Sequence, residues 1–274
     1  MRRIKRGWLV AILGVLGCGA DIGGEHPSGY GAQTINDTQD AGTATSELNS
    51  EVSEAVWARR LVFTGIAETP VGQQLTHIIA IARIRIVRTE DGLVAVEDTC
   101  QTEVIRPDFP DVITELPTAF IDSMPITRRG FRQEGNQVAF AETVELQGVR
   151  LTDPYVEELP TQVDDHRVFD QDDDGQPGVT VRLTGFLQGT LYLIQRIISR
   201  LSGTATERRM EGFARWSSEE VVLAANPELL KVPTNITPID DVTQNYFIAV
   251  RIDAQLDCRD ILTQASSLFQ GASP

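Results

Sequence analysis

Over much of the chain, apolar and polar residues alternate one by one. Val138, Phe140, Val144 and Leu146 fall on one side, with Ala139, Ala141, Thr143 and Glu145 on the other. Tyr246, Ile248, Val250 and Ile252 repeat the arrangement opposite Arg251 and Asp253. A period of two predicts strands with one buried face. By this rule strands run over 60–68, 77–88, 93–100, 137–151, 179–185, 190–206, 211–223 and 246–256. One buried face per strand fits antiparallel sheet, and the lack of regular strand–helix alternation argues against a doubly wound parallel fold. Glu90-Asp91-Gly92 is a hairpin signal between the second and third of these strands. In 189–200 the pattern changes. Leu191, Tyr192, Leu193, Ile194, Ile197 and Ile198 put apolar groups on both faces. That predicts a central strand covered on both sides, in preference to a wall shared between core and ligand cavity.

Helical signals are few. Leu48, Val52, Ala55 and Val56 predict a short amphipathic helix over 46–59, with Ser46 as its N-cap. Residues 106–125 carry Pro107, Pro110, Pro117 and Pro125 and read as a long loop, with at most one helical turn around 119–123. Asn226-Pro227-Glu228 reads as the start of a short helix with Pro at its first position. Asp257 caps a final helix through Gln270, where Ile261, Leu262, Ala265, Leu268 and Phe269 form one stripe and Gly271 stops it. The expected fold is mainly β: a single antiparallel β-barrel or two-layer sandwich over residues 51–274, closed by a C-terminal α-helix. Residues 19–50 are rich in Gly, Ser, Thr, Asn, Asp and Gln and carry almost no large apolar side chains. They read as a flexible tether, since burial there does not repay the entropy of ordering.

Composition narrows the class. With 274 residues and 41% apolar content the chain has enough material for a core. Its Gly, Pro and apolar fractions exclude collagen-like, coiled-coil and fully disordered chains. A formal charge of −15 argues against nucleic acid as a partner, because no basic patch is present to displace phosphate counterions.

The N-terminus reads as an address. Arg2, Arg3, Lys5 and Arg6 precede an apolar stretch from Trp8 to Leu16 that is too short to span a bilayer as a mature helix. Val15-Leu16-Gly17-Cys18 follows, and with the preceding charges and apolar run it resembles the lipobox of bacterial lipoproteins. Leu16 departs from the family, which usually has a small residue there. The resemblance implies removal of 1–17 as a signal peptide, with 18–50 as the lipidated Cys and tether. It implies acyl chains on Cys18, which hold the protein on a membrane in the cell envelope. Gly19, where inner-membrane members carry Asp, is similar to members sorted to the outer membrane. Cleavage removes four positive charges and no negative ones, so the net charge of −15 becomes −19. A body that acidic is repelled by anionic headgroups, and membrane contact is expected through Cys18 alone. Outside the reducing cytoplasm the two remaining thiols, Cys100 and Cys258, are expected to pair, stapling the final helix to the sheet.

One segment carries chemistry. In 164–178, Asp170, Asp172 and Asp174 are spaced by two and followed by Gly175. This resembles the first half of an EF-hand calcium loop and the D-x-D-x-D-G element of thrombospondin type 3 repeats. A loop wound around a hard cation turns alternate side chains inward, and glycine permits the sharp bend after the third. The Gln176 carbonyl is the fourth expected ligand, with Asp164, Asp165, Asp173 or water completing the shell. Val181 stands at the twelfth position, Pro177 falls in the second half, and a strand follows, so a complete EF-hand is excluded. Calcium is the expected cofactor, in a structural role.

Other motifs are weak. His26 lies in the tether, His77 opens a strand, and His166 beside the acidic loop reads as a charge partner in preference to a ligand. No zinc spacing, GxSxG, phosphate loop or Rossmann fingerprint occurs. Arg83 and Arg85 share a strand face and are expected to meet the many acids outside. The expected function is a non-enzymatic envelope lipoprotein, binding or structural, stabilised by calcium. The alternative is a carrier holding a lipid or other apolar ligand inside a β-barrel. Besides the membrane, the expected partners are an apolar small molecule or an envelope protein.

Overall fold

The computed structural model describes residues 55–69, 72–232 and 235–270. Cys18, His26, Gly271 and most of the helix expected over 46–59 lie outside the described residues. Eleven strands form one antiparallel sheet that rings round, with a helix at its C-terminal end. The strands are β1 (Val56–Thr69), β2 (Gly72–Thr89), β3 (Gly92–Ile105), β4 (Val112–Glu115), β5 (Thr127–Glu134), β6 (Gln137–Gln147), β7 (Val179–Gly185), β8 (Gly189–Ala205), β9 (Arg209–Asn226), β10 (Ile236–Pro238) and β11 (Tyr246–Ile252). Among the described residues two α-helices accompany them, α1 (Thr118–Ser123) and α2 (Cys258–Leu268). The pairing path β2–β1–β11–β9–β8–β6–β5–β3 returns to β2. At the other end β4 joins β3 to β7, and β7 pairs with β8.

The described part of the helix expected over 46–59 is strand instead. Val56 to Arg59 open β1, paired with β2 and β11. Trp57, Leu61 and Phe63 share one buried cluster, which is the period of a strand. Three further strands escaped the sequence reading. β4 and β10 have only four and three residues. β5, Thr-Arg-Arg-Gly-Phe-Arg-Gln-Glu, is polar except for the buried Phe131. The strand expected to run to residue 151 ends at Gln147, where Gly148 takes a φ of +69°. A Cβ there would sit 2.6 Å from the Gly178 backbone, so only glycine fits this crossing.

Bulges set which side chains face inward. In β6 the register shifts between Phe140 and Thr143. Val138 and Phe140 enter the interior cluster, while beyond the shift Glu145 and Gln147 face inward and Leu146 packs outside. One extra residue in a strand exchanges its faces. In β3 the extra residue is Cys100, because Gln101 opposes Ile81 and Thr99 opposes Ala82.

Two clusters fill the outside. α2 packs over the sheet, with Ile261 and the following Phe269 in one cluster with Ala58 of β1 and Ile248 of β11. Asp257 caps this helix through a reciprocal pair with Asp260, as its position predicts. Cys100 and Cys258 are bonded, with Cα atoms 5.1 Å apart, and tie the helix to β3 across 158 residues. Val149 and Leu159, from the segment after β6, pack on Ile194 and Leu223. β8 is therefore covered on its outer face, while Leu191 and Leu193 point inward. Arg83 meets backbone rather than acids, donating to the carbonyls of Leu256 and Ala254 at 2.9 Å. Among the described residues no helix is long and apolar enough to cross a membrane.

Candidate functional site

The ring encloses a cavity of about 140 Å³. One wall is aliphatic, built by Val179, Val181 and Leu183 of β7 and Leu191 and Leu193 of β8. Phe120 of α1 and the adjacent Met124 complete it. A smaller space of about 80 Å³ shares Arg106, Leu183 and Leu191 with the first and is bordered by the exposed Phe186. These three side chains border both spaces.

Next to this wall, further along β8, the lining turns polar. Gln147, Gln195 and Glu220 lie side by side across β6, β8 and β9, in register, and all three line the cavity. Deeper in, four charged groups from four strands meet. Arg59 Nη1 lies 2.8 Å from Glu97 Oε2, and Arg129 Nε lies 3.1 Å from Glu97 Oε1. Arg129 Nη2 reaches Glu145 Oε1 at 3.3 Å, and its Nη1 donates to Ser199 Oγ at 3.4 Å. Arg59, Glu97 and Arg129 are buried, whereas the Glu145 side chain keeps 35% of its surface, consistent with its place on the cavity wall.

Burial shifts these acids. It raises the Glu145 carboxyl above the usual carboxylate range despite the opposing pull of Arg129. Glu220 is pushed up to about 8 by burial, against the attraction of Arg106. Arg106 also donates from Nη1 to Thr114 Oγ1. Arg129 is lowered by burial, with Glu97 raising it in opposition. The interior thus offers an apolar half and a half rich in donors, acceptors and charge, the usual make-up of a small-molecule site.

The acidic loop forms a second site on the outside of β7. Asp170, Asp172 and Asp174 bring carboxylate oxygens within 4.8 Å of one another. Asp170 accepts the N–H groups of Asp174 and Gly175, at 3.2 and 2.7 Å. Asp174 accepts the Gln176 N–H at 2.9 Å and the Thr180 hydroxyl at 2.6 Å. Asp172 is only 6% exposed; its Oδ2 accepts the Thr180 N–H at 2.9 Å, and its buried Oδ1 has no hydrogen-bond partner. Burial raises its carboxyl, and Asp174 and Asp170 raise it further by repulsion. Gly175 adopts a φ of +82°, the bend expected after the third Asp. Asp165 is engaged elsewhere, paired at 2.8 Å with Arg167. His166 is 93% exposed and lies 3.6 Å from Asp165.

His77 is not poised to activate a nucleophile. Its Nδ1 lies 2.9 Å from Thr64 Oγ1, and that hydroxyl donates to the Gln244 carbonyl. The imidazole nitrogen is therefore the donor in this pair. Burial lowers its pKa.

Sequence reasoning located the Asp cluster and the cysteine pair but missed the interior groups. Arg59 sits in a segment read as helix, and Arg129 in an unrecognised strand. Glu145 was placed on the face opposite Val144 and Leu146, correctly, but a bulge makes that face the inner one. No protein-family model matches this chain, and neither a curated protein nor a solved structure matches it.

Proposed function

We propose that this protein is a lipid-anchored, non-enzymatic binding module of the bacterial envelope whose ring of strands takes a small amphiphilic ligand. The observation that carries this reading is the interior cavity, where aliphatic side chains of β7 and β8 adjoin the Gln147–Gln195–Glu220 row. Its volume of about 140 Å³ suits a molecule of single-ring size. That is too small for a whole phospholipid, so the carrier alternative narrows to compact apolar molecules with one polar end.

The disulfide supports placement outside the reducing cytoplasm. The signal-like N-terminus and Cys18 support anchoring by acyl chains in the cell envelope, at the outer membrane. Calcium, held by Asp170, Asp172, Asp174 and the Gln176 carbonyl, is the stabilising ion of this reading. The orphaned Asp172 oxygen supports it, since a buried carboxylate without a counter-charge is costly.

Native mass spectrometry of the full chain released from lipid nanodiscs tests the function. The expected spectrum contains the acylated protein with a bound organic molecule lost on collisional activation. A spectrum of bare protein only, even after incubation with single-ring amphiphiles such as 4-fluorophenol, contradicts the reading.

A further inference from the structure

The acidic loop and the cavity share a wall. Thr180 lies between Val179 and Val181, and both valines line the cavity. Its N–H and hydroxyl are held from outside by Asp172 and Asp174, respectively. A second connection leaves the loop at Gln171, between two of the clustered acids. Gln171 Oε1 accepts the Gly148 N–H at 2.7 Å, and its Nε2 donates to Ser123 Oγ at 3.3 Å. Ser123 ends α1, whose Phe120, with the following Met124, forms another part of the cavity lining. Gln171 N–H also bonds the Gly178 carbonyl at 3.0 Å, one residue before β7. Two elements of the aliphatic wall are thus fastened to the same loop.

The loop is strained electrostatically in a way that a cation relieves. Three carboxylates converge, and the buried Asp172 Oδ1 lacks any donor. Oxygen ligands in an irregular arrangement favour calcium over the smaller, more geometrically demanding magnesium.

We infer that a calcium ion on Asp170, Asp172 and Asp174 holds Thr180 and Gln171 in place, and so sets the wall of the ligand cavity from outside the ring. Calcium and the interior ligand are then linked: each tightens the other by the same factor. The linkage rests on the cavity being a ligand site; the ion site and the ordering of β7 do not.

The test uses the full chain in nanodiscs, stripped with chelator and titrated with calcium chloride by calorimetry. Binding with a Kd of about 0.1–1 mM is expected, as for extracellular calcium modules. Asp172→Asn keeps the size of the side chain, and the exposed Asp170→Asn serves as a second variant; both are expected to weaken calcium at least about tenfold. Calcium is expected to slow amide hydrogen exchange at Thr180 in the unaltered protein and not in either variant. It is also expected to tighten 4-fluorophenol at least about fivefold, measured by fluorine NMR with empty nanodiscs as control. No binding at millimolar calcium, or equal binding by both variants, overturns the ion site. Calcium binding without slower exchange at Thr180 overturns the ordering of the wall. Unchanged 4-fluorophenol affinity overturns the linkage. If the probe fails to bind with and without calcium, the ligand reading and the linkage both fall, while the calorimetry and exchange still decide the ion site and its hold on β7.

Discussion

At one end of the ring Trp57, Phe140, Phe247 and Met210 are fully buried and fill the interior. Phe140 packs edge-on against Phe131 and Phe247, with ring centroids 5.0 and 5.6 Å apart. At the other end the buried cluster from β7 and the start of β8 is Val and Leu, with Phe120 its aromatic member. Aromatic rings that interdigitate leave little space, whereas branched aliphatics beside a polar row leave a cavity. The four-membered charge network lies on that same cavity. Long strands such as β8 and β9 run through both regions, so one end anchors strands whose other end surrounds empty volume. The comparison teaches where stability resides: aromatic packing sustains the ring, while the cavity end gives up packing and, in the proposed reading, gains a binding site.

Substitutions sharpen the contrast. Phe140→Ala is expected to cost about 3–5 kcal/mol in urea unfolding, because the lost ring leaves a void in a packed cluster. Leu193→Ala, at the cavity, is expected to cost nearer 2 kcal/mol, since its side chain already borders open space. Equal costs would erase the distinction between the two ends. Glu97→Gln leaves Arg59 and Arg129 without their shared counter-charge and is expected to cost about 3 kcal/mol or more. Val181→Phe fills the cavity and is expected to cost about 1–3 kcal/mol while abolishing probe binding.

The smallest effect is on pH dependence. Glu220 binds its proton more tightly in the folded state, with its pKa raised from 4.5 to about 8. The folded protein therefore holds more protons than the unfolded chain between these values, and its stability falls as pH rises through that window. Burial moves Glu145 in the same direction. Glu220→Gln is expected to flatten the decline seen by thermal unfolding between pH 5 and 8. An unchanged profile would mean that Glu220 is not the group responsible.

How much of this was legible depended on whether a signal was local. β7 was read with its observed ends, since Val179, Val181 and Leu183 alternate cleanly before Gly185. The Asp257 cap and apolar stripe revealed α2, and compartment logic paired Cys100 with Cys258. The loop of three alternating Asp was legible because its geometry is written in consecutive residues. The cavity was not. Its polar groups come from β1, β3, β5, β6, β8 and β9, and each looked like surface in its own strand. The bulge between Phe140 and Thr143 then exchanged the faces of β6 and turned Glu145 inward. The polar β5 lacks the apolar repeat that identifies a strand, although Gly135-Asn136 marks its turn into β6.

Fluorine NMR of 4-fluorophenol with the unaltered full chain and with Val181→Phe, each in nanodiscs, tests the cavity most directly. The account predicts a protein-bound resonance for the first, none for the second, and a Tm for the variant that still reports a folded ring. A bound resonance of equal strength in both proteins, or in neither, would contradict it.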